Sequence, residues 1–205
     1  MRIGFIGLGN MATAIIGGML RENTVLGSSA TPLAASDIIG SAKTSATRDA
    51  KAAELGIAVT ASNRQVAEEA DVLVLAVKPL FFPEVIDEIR DVISDGTLVI
   101  SIAAGLTLSR IAELFGRDSD TMRLIRCMPN TPALVNAGCT AVCPGPGATA
   151  SDEAVCLDLM NSFGRAIVIP ERLMDAASAV AGSSPAFVFM FIEALADGAV
   201  AAGMP

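Results

Sequence analysis

The segment from Ile3 to Ala14, read as I-G-F-I-G-L-G-N-M-A-T-A, constrains the fold of this chain more than any other stretch. A short apolar run leads directly into the pattern Gly7-x-Gly9-x-x-Ala12, and an apolar helical pattern follows. In such a strand–turn–helix unit the first glycine permits a tight turn, the second lets the backbone approach a pyrophosphate, and a small third residue lets the helix pack on the strand. The amides at the start of the helix favour a negatively charged group. The segment therefore predicts a dinucleotide-binding loop; the alternative is a plain turn that needs glycine for its backbone angles.

Composition restricts the partners and the chemistry. Of the 205 residues, 52% are hydrophobic and the net charge is -8 with scattered basic residues, which argues against nucleic acid and anionic membranes. The apolar run at Ala186–Ile192 is too short to span a bilayer, and the chain opens without a basic leader, so we expect a cytoplasmic protein. The chain has no histidine and its four cysteines form no C-x-x-C pair, which predicts reduced thiols, no metal site and no histidine base.

Apolar runs alternate with helical patterns over residues 1–170. The predicted strands are Arg2–Ile6, Leu33–Ser36, Ile57–Thr60, Asp71–Val77, Leu98–Ile102, Met122–Arg126, Cys139–Val142 and Ala166–Ile169. The predicted helices between them include Ala46–Leu55, Gln65–Ala70, Phe82–Ile93 and Leu108–Leu114. Strands that are apolar on both faces and separated by helices predict a doubly wound, mostly parallel α/β sheet that is covered on both sides.

Beyond Pro170 the pattern is helical only. Leu173–Ala179 is predicted to be a helix, and Gly182–Pro185 is expected to interrupt it, with Ser184 capping the next helix. In that next helix Phe187, Phe191, Leu195 and Ala199 recur every four residues. We expect one domain over residues 1–170 and an incomplete all-helical domain over 171–205, whose exposed apolar stripe promotes association.

Three further segments follow predicted strand ends, the edge at which ligands bind in such sheets. They are A-V-K-P at 76–79, S-I-A-A-G at 101–105 and R-C-M-P-N-T-P at 126–132. With the opening glycine pattern and the later G-S-S-P-A and A-L-A-D-G, they resemble the pyrroline-5-carboxylate reductase family over the whole chain. The resemblance implies a Rossmann-like domain, reduction of 1-pyrroline-5-carboxylate to L-proline by NAD(P)H, and a helical domain that forms a homodimer or higher homo-oligomer.

The resemblance also implies cofactor contacts at matching positions. They are Ile6, Gly7, Leu8, Gly9, Asn10 and Met11 at the pyrophosphate, Ser36, Asn63, Ala76 and Lys78 at the adenosine and ribose, and Ala103 and Ala104 near the nicotinamide. Ser36, at the end of the second predicted strand, is expected to donate to a 2′-phosphate with help from Asn63. NADPH is favoured on this basis, and NADH is possible because Asp37 follows directly. The alternatives are turn capping by Ser36 and Asn63 and an ordinary surface position for Lys78.

On the substrate side, the iminium form of pyrroline-5-carboxylate arrives already activated, so the protein mainly orients two reactants and binds a carboxylate. Asn130 and Ser183 are the candidate substrate residues; a structural turn and helix capping are the alternatives. Where the family usually reads G-S-G-P, this chain has Ser184 in place of the second glycine. The family's S-x-G-G-x-T segment is not among these residues, so we expect nucleotide binding but weak turnover from them alone.

Two other functions remain open on the sequence. A β-hydroxyacid dehydrogenase relative shares the opening loop, but such enzymes use a lysine in the helical domain, and no lysine follows Lys78. The second is a non-catalytic dinucleotide-binding module.

Overall fold

The computed structural model describes residues 1–205 as one eight-stranded sheet with helices on both faces, followed by a long helical segment. The strands are β1 (Ile3–Ile6), β2 (Ile38–Ser41), β3 (Ala58–Thr60), β4 (Val72–Leu75), β5 (Leu98–Ser101), β6 (Leu124–Met128), β7 (Gly138–Pro144) and β8 (Gly164–Val168). Their order is β3-β2-β1-β4-β5-β6-β7-β8, and every neighbouring pair is parallel except β6 and β7. The predicted doubly wound, mostly parallel fold is confirmed.

The helices that alternate with the strands cover the two faces of this sheet. They are α1 (Asn10–Arg21), α2 (Ser45–Leu55), α3 (Asn63–Glu69), α4 (Phe82–Ile89), α5 (Leu108–Phe115) and α6 (Ala150–Asn161). Two more helices, α7 (Met174–Ala177) and α8 (Ser184–Ala201), belong to the helical segment after the sheet. Short 3₁₀ turns stand at Ala35–Asp37, Pro79–Phe81, Thr131–Val135 and Glu171–Leu173.

Alternation along the buried strands divides the core into two layers. Ile3 and Phe5 of β1 point into a cluster of 23 buried residues built with α1 and α6, whereas Ile6 points into a cluster of 22 built with α3, α4 and α5. A β-carbon at Gly4 would lie 2.7 Å from Val66 Cγ1, so α3 packs directly on the backbone of β1. Both faces of the central strands are therefore covered, and a ligand is expected at the loops that follow the carboxyl ends of the strands.

The predicted second strand at Leu33–Ser36 is wrong. The strand that pairs with β1 is Ile38–Ser41, and residues 35–37 form a 3₁₀ turn ahead of it. Leu33 and Ala35 pack against the core without joining the sheet, so their apolar character reflects side-chain burial and not strand pairing. Ser36 consequently precedes β2 at the amino edge of the sheet, where its carbonyl accepts a hydrogen bond from the Arg2 guanidinium.

The predicted interruption at Gly182–Pro185 is also wrong. The helix runs on through a π-helical segment at Ser178–Ser183 into α8, and Ser184 has ordinary helical angles (φ -59°, ψ -33°) instead of capping a new helix. Pro185 has no N–H to donate, and the backbone accommodates it by widening into a π turn. Because Ser184 is helical, its position makes no conformational demand for glycine.

The apolar run at Ala186–Ile192 belongs to a much longer element than the sequence indicated. The continuous helix Glu171–Ala201 has 31 residues and is long and apolar enough to cross a bilayer by length and composition, with none of its apolar window buried. Phenylalanines at positions 187, 189 and 191 are each about two-thirds exposed. A helix that is apolar all round needs a covering surface, and no residue of α8 is buried against the rest of the chain.

Candidate functional site

A cleft of about 530 Å³ lies at the carboxyl edge of β1, β2 and β4. Its walls come from the loops after these strands, the start of α3 and the first two turns of α4. It is lined by Ile6, Gly7, Leu8, Gly9, Ser41, Ala42, Lys43, Thr44, Thr47, Ala61, Asn63, Val77, Lys78, Phe81, Glu84, Val85 and Glu88. Among the sequence-predicted cofactor residues, the structure brings together Ile6, Gly7, Leu8, Gly9, Asn63 and Lys78 in this cleft.

The two glycines of the opening loop differ in what they permit. Gly7 has φ +94°, and a β-carbon there would lie 2.8 Å from Val77 Cγ1, so this turn requires glycine. Gly9 has φ -78° and ψ -174°, which any residue adopts, and a β-carbon there would meet no atom within 4 Å. The absence of a side chain at Gly9 therefore leaves open space beside the backbone, which the close approach of a pyrophosphate requires.

The start of α1 is arranged for an anion. Gly9 is its N-cap without a side-chain hydrogen bond, and the first turn contains no acidic residue. Amides at a helix start carry partial positive charge and seek acceptors. Asn10 and Met11 form this first turn, so the residues predicted to hold the pyrophosphate follow directly on the glycine loop.

The loop after β2 contributes Lys43, one of the two lysines that line the cleft; the other is Lys78. Lys43 and Thr44 follow one residue after Ser41, the last residue of β2. The Arg48 guanidinium donates to the carbonyls of Ala42 and Lys43 at 2.9 and 3.0 Å. Ser36, expected in this position, lies at the opposite edge of the sheet because β2 begins at Ile38. Sequence reasoning missed Lys43 and Thr44; correct placement of the strand would have found them.

Asn63 joins two walls of the cleft. Ser41 Oγ donates to Asn63 Oδ1 at 2.7 Å, and Asn63 Nδ2 donates to Glu88 Oε2 at 2.6 Å. The helix cap at this point is Ser62, which accepts from the Gln65 amide. The side chain of Asn63 therefore links Ser41 and Glu88 at the cleft, and Ser62, not Asn63, caps α3.

The other predicted cofactor residues stand beside the cleft at the same edge. Ala76 follows β4 immediately, and its amide donates to the carbonyl of Ile6 at 2.9 Å. Ala103 and Ala104 follow β5; Ala103 is buried, and the turn closes at Gly105 with φ +76°. Since β1, β4 and β5 are parallel neighbours, these segments continue the cleft edge toward β6.

Comparison with known proteins places this geometry in a family. Residues 2–105 match the family model described as NADP oxidoreductase coenzyme F420-dependent, and residues 171–205 match that for pyrroline-5-carboxylate reductase dimerisation. The pyrroline-5-carboxylate reductase of Escherichia coli K12 is 44% identical over 204 residues, covering 100% of this chain and 72% of that protein. The chain belongs to the pyrroline-5-carboxylate reductase family. It is an oxidoreductase homologue of proline biosynthesis, as the resemblance predicted.

Solved reductase structures agree with this membership. A pyrroline-5-carboxylate reductase from Coxiella burnetii superposes with a TM-score of 0.89 at 32% identity, covering 100% of this chain and 72% of that one. The enzyme from Plasmodium falciparum with NADP bound gives 0.82 at 30% identity, covering 100% and 71%. A 3-hydroxyisobutyrate dehydrogenase from Mycobacterium tuberculosis shares only the fold, at 17% identity, a TM-score of 0.64 and coverage of 87% and 58%. These comparisons favour the reductase over the dehydrogenase relative and the non-catalytic module.

The predicted substrate residues of the reductase lie at the junction with the long helix. Asn130 follows β6 and is buried; its Oδ1 accepts from the Cys139 amide at 2.8 Å and its Nδ2 donates to the Ala181 carbonyl at 3.0 Å. Ser183 lies exposed in the π-helical segment and makes no hydrogen bond through its side chain. The expected turn with a free helix start beside Ser183 does not form, so no helix-start amides are available there for a substrate carboxylate, and the exposed Ser183 hydroxyl is the donor that remains.

A second junction went unnoticed in the sequence. Arg126 of β6 is buried and forms ion pairs with Glu171 at 3.2 Å and Asp175 at 3.5 Å, the residues that begin the helical segment. The same Glu171 carboxylate accepts from the Leu108 amide at 2.7 Å. The β6 strand thus anchors the helical segment of the reductase to the sheet.

The cysteines of the reductase are free and mostly inert. Burial raises the pKa of Cys127 well above its ordinary value, and the nearby Cys156 thiol, 3.4 Å away, adds to the rise. Burial also raises the pKa of Cys143. Neither thiol provides a thiolate nucleophile near neutral pH.

Proposed function

We propose that this chain binds NADPH in the cleft between β1, β2 and α4 and uses it to reduce 1-pyrroline-5-carboxylate to L-proline. The carrying observation is the glycine loop, with open space beside Gly9 and the bare start of α1 facing the same cleft. The Plasmodium falciparum relative, whose structure holds NADP, supports this placement. Ile6 to Met11 hold the pyrophosphate, Ala76 and Lys78 line the adenosine and ribose side, and Ala103 and Ala104 adjoin the nicotinamide.

The choice of NADPH rests on the loop after β2. Residues 41–47 read S-A-K-T-S-A-T and contain no acidic side chain. A carboxylate at this point binds the ribose 2′-hydroxyl of NAD, whereas a cation accommodates a 2′-phosphate. The Lys43 ammonium and the Thr44 hydroxyl supply the cation and a donor, in place of the Ser36 contact that the sequence indicated.

Bound NADPH supplies the hydride that reduces the C=N carbon of the substrate. The residues of this chain orient the two reactants, which is a large share of catalysis when one reactant is already activated. An iminium substrate carries its proton on nitrogen on arrival, so the carboxyl edge of β5 and β6 mainly has to exclude water and hold the ring. Asn130 and Ser183 remain the candidate substrate contacts on this side.

We further propose that the long helix is the interface of a homodimer or larger homo-oligomer in the cytoplasm. Residues 171–205 match the dimerisation model of the family, and their apolar surface is what a second copy would bury. This account explains an exposed apolar helix without a membrane. The free cysteines suit a reducing compartment.

Fluorescence titration of residues 1–205 with NADPH and NADH tests the cofactor assignment. We expect saturable binding of NADPH and weaker binding of NADH; no binding of either nucleotide would overturn the proposal. Consumption of NADPH after addition of pyrroline-5-carboxylate tests the chemistry in the same sample. Rapid consumption of NADPH would contradict the prediction of weak turnover by these residues alone and would leave the cofactor assignment intact.

A further inference from the structure

The wall of the cleft formed by α4 differs in chemistry from the wall formed by the loop after β2. The β2 side presents Lys43 and hydroxyl groups, whereas the α4 side presents Phe81, Val85 and the carboxylates of Glu84 and Glu88, with Lys78 ahead of them in the loop after β4. Carboxylates repel a phosphate and accept hydrogen bonds from an amine. A nucleotide with a phosphate on its ribose therefore fits this cleft with the phosphate toward Lys43 and the base toward α4.

Glu88 is the carboxylate of this wall that is held in place. Its Oε2 accepts from Asn63 Nδ2 at 2.6 Å, while its Oε1 makes no hydrogen bond within the chain. Glu84 makes no hydrogen bond through its side chain at all. A carboxylate that lines the cleft, fixed through one oxygen and unpaired at the other, is suited to accept a hydrogen bond from a ligand.

Beside Glu88 the same helix offers an apolar surface for a flat ring. Val85 is one turn earlier on α4 and nearly buried, and Phe81 stands ahead of the helix with 43% of its surface exposed. Aromatic rings stack on nucleobases with an energy of about 1–3 kcal/mol per base. Val85 and Glu88 are three residues apart and share a face of α4, so a base on this surface lies beside the Glu88 carboxylate.

We propose that the α4 wall reads the base of the dinucleotide, with Phe81 and Val85 against the adenine ring and Glu88 accepting a hydrogen bond from its exocyclic amine. The inference rests on the proposed dinucleotide function and adds a base preference to it. Hypoxanthine carries a carbonyl oxygen in place of that amine, so it presents an acceptor to an acceptor. The chain therefore prefers NADPH over the deaminated nucleotide, nicotinamide hypoxanthine dinucleotide phosphate in its reduced form.

Titrating both reduced nucleotides, which share the fluorescent dihydronicotinamide, tests the inference on residues 1–205. The wild type is expected to bind NADPH about tenfold more tightly, since one hydrogen bond to a charged group separates the two. In Glu88→Gln the amide can accept from adenine or donate to hypoxanthine, so the ratio falls to about one. Asp87→Asn is the matched control; it removes the same charge from the same helix outside the cleft, at a residue paired with Arg90, and keeps the wild-type ratio.

Each outcome decides the inference. Equal binding of the two nucleotides by the wild type overturns it and leaves the dinucleotide function standing, with no variant required. An unchanged ratio in Glu88→Gln, or a ratio abolished by Glu84→Gln instead, overturns the assignment to Glu88. Binding of neither nucleotide overturns the proposed function together with this inference.

Discussion

Asn130 Nδ2 donates a hydrogen bond to the carbonyl oxygen of Ala181 at 3.0 Å. Ala181 stands four residues before Pro185, the position whose amide would serve this carbonyl in an α-helix if proline had an N–H. The loop after β6 thus supplies the donor that the helix lacks. Through the same side chain it fixes the Cys139 amide, so Asn130 couples the sheet edge to the π-helical segment.

Replacement of Asn130 should loosen this junction. In Asn130→Ala the Cys139 amide and the Ala181 carbonyl both lose their partner, which costs about 1–3 kcal/mol in the free energy of unfolding. Amide hydrogen exchange over residues 178–185 should accelerate. Asn130→Asp is the informative companion: it keeps an acceptor for Cys139 but no donor for Ala181, so the helical segment should loosen while the Cys139 amide stays protected. Unchanged exchange in both variants would contradict the coupling.

The glycine loop could be predicted from sequence because its residues are neighbours in the chain, whereas other parts of the site could not. Gly7, Gly9 and the start of α1 belong to one continuous segment, and their spacing alone indicates the geometry. Lys43 was missed because Leu33 and Ile38 are both apolar, and only pairing with β1 decides which of them is in the strand.

Contacts between distant elements left no sequence signal at all. The link from Asn63 to Glu88 spans 25 residues and that from Arg126 to Glu171 spans 45, and neither pair follows a helical or strand period. Pro185 does leave a signal, but that signal favours a break in the helix. The helix continues because Asn130, 51 residues before the helical carbonyl that it serves, provides a substitute donor, and no local pattern indicates this contact.

The two loop glycines should respond differently to substitution. Gly7→Ala places a β-carbon 2.8 Å from Val77 Cγ1 on a left-handed backbone, so we expect a loss of stability of about 1–3 kcal/mol. At Gly9 a β-carbon would meet no atom within 4 Å, and Gly9→Val replaces only a favourable N-cap residue of α1, so stability should fall by less than about 1 kcal/mol. NADPH binding should nevertheless weaken more than about tenfold, because the valine side chain occupies the pyrophosphate space. Thermal melts and nucleotide titrations separate the two effects; normal NADPH affinity in Gly9→Val would argue against this loop as the cradle.

Lys43 should set the preference for NADPH. Removing its ammonium in Lys43→Ala is expected to weaken NADPH binding about tenfold and to leave NADH binding nearly unchanged, since only NADPH carries the 2′-phosphate. The measurement is a pair of titrations at low and high salt, and the wild-type advantage of NADPH should shrink as salt screens the pair. Lys51→Ala is the control, because Lys51 pairs with Glu54 on α2 outside the cleft. Equal losses for both nucleotides would instead indicate a general effect on folding.

Acid should destabilise the protein partly through Asp152. Burial by itself raises the pKa of this carboxyl, but hydrogen bonds from Arg123 and Thr149 outweigh it and hold the pKa below its ordinary value. A lowered pKa in the folded state gives stability that is present above the unfolded pKa of about 4 and is lost as pH falls through the folded value. Asp152→Asn should therefore be less stable than wild type by about 2 kcal/mol at pH 7, with the difference shrinking below about pH 4. Asp91→Asn, which breaks an exposed ion pair with Arg64, should lower the free energy of unfolding by less than Asp152→Asn does at every pH. Urea unfolding of the three proteins over this pH range measures both differences.

Self-association should depend on the long helix. Phe191 is 66% exposed on α8, where no residue is buried, and residues 171–205 match a dimerisation model. Phe191→Glu places a charge where a second copy would bury an apolar ring, so it should shift the chain toward monomer, because an unpaired charge is costly to bury in an interface. Light scattering over a range of protein concentrations measures the shift. Val135→Glu makes the same kind of change at a residue that is 76% exposed outside this helix, and should associate like wild type. If wild type and Phe191→Glu are equally associated, or both are monomeric at every concentration, α8 is not the interface that holds the copies together.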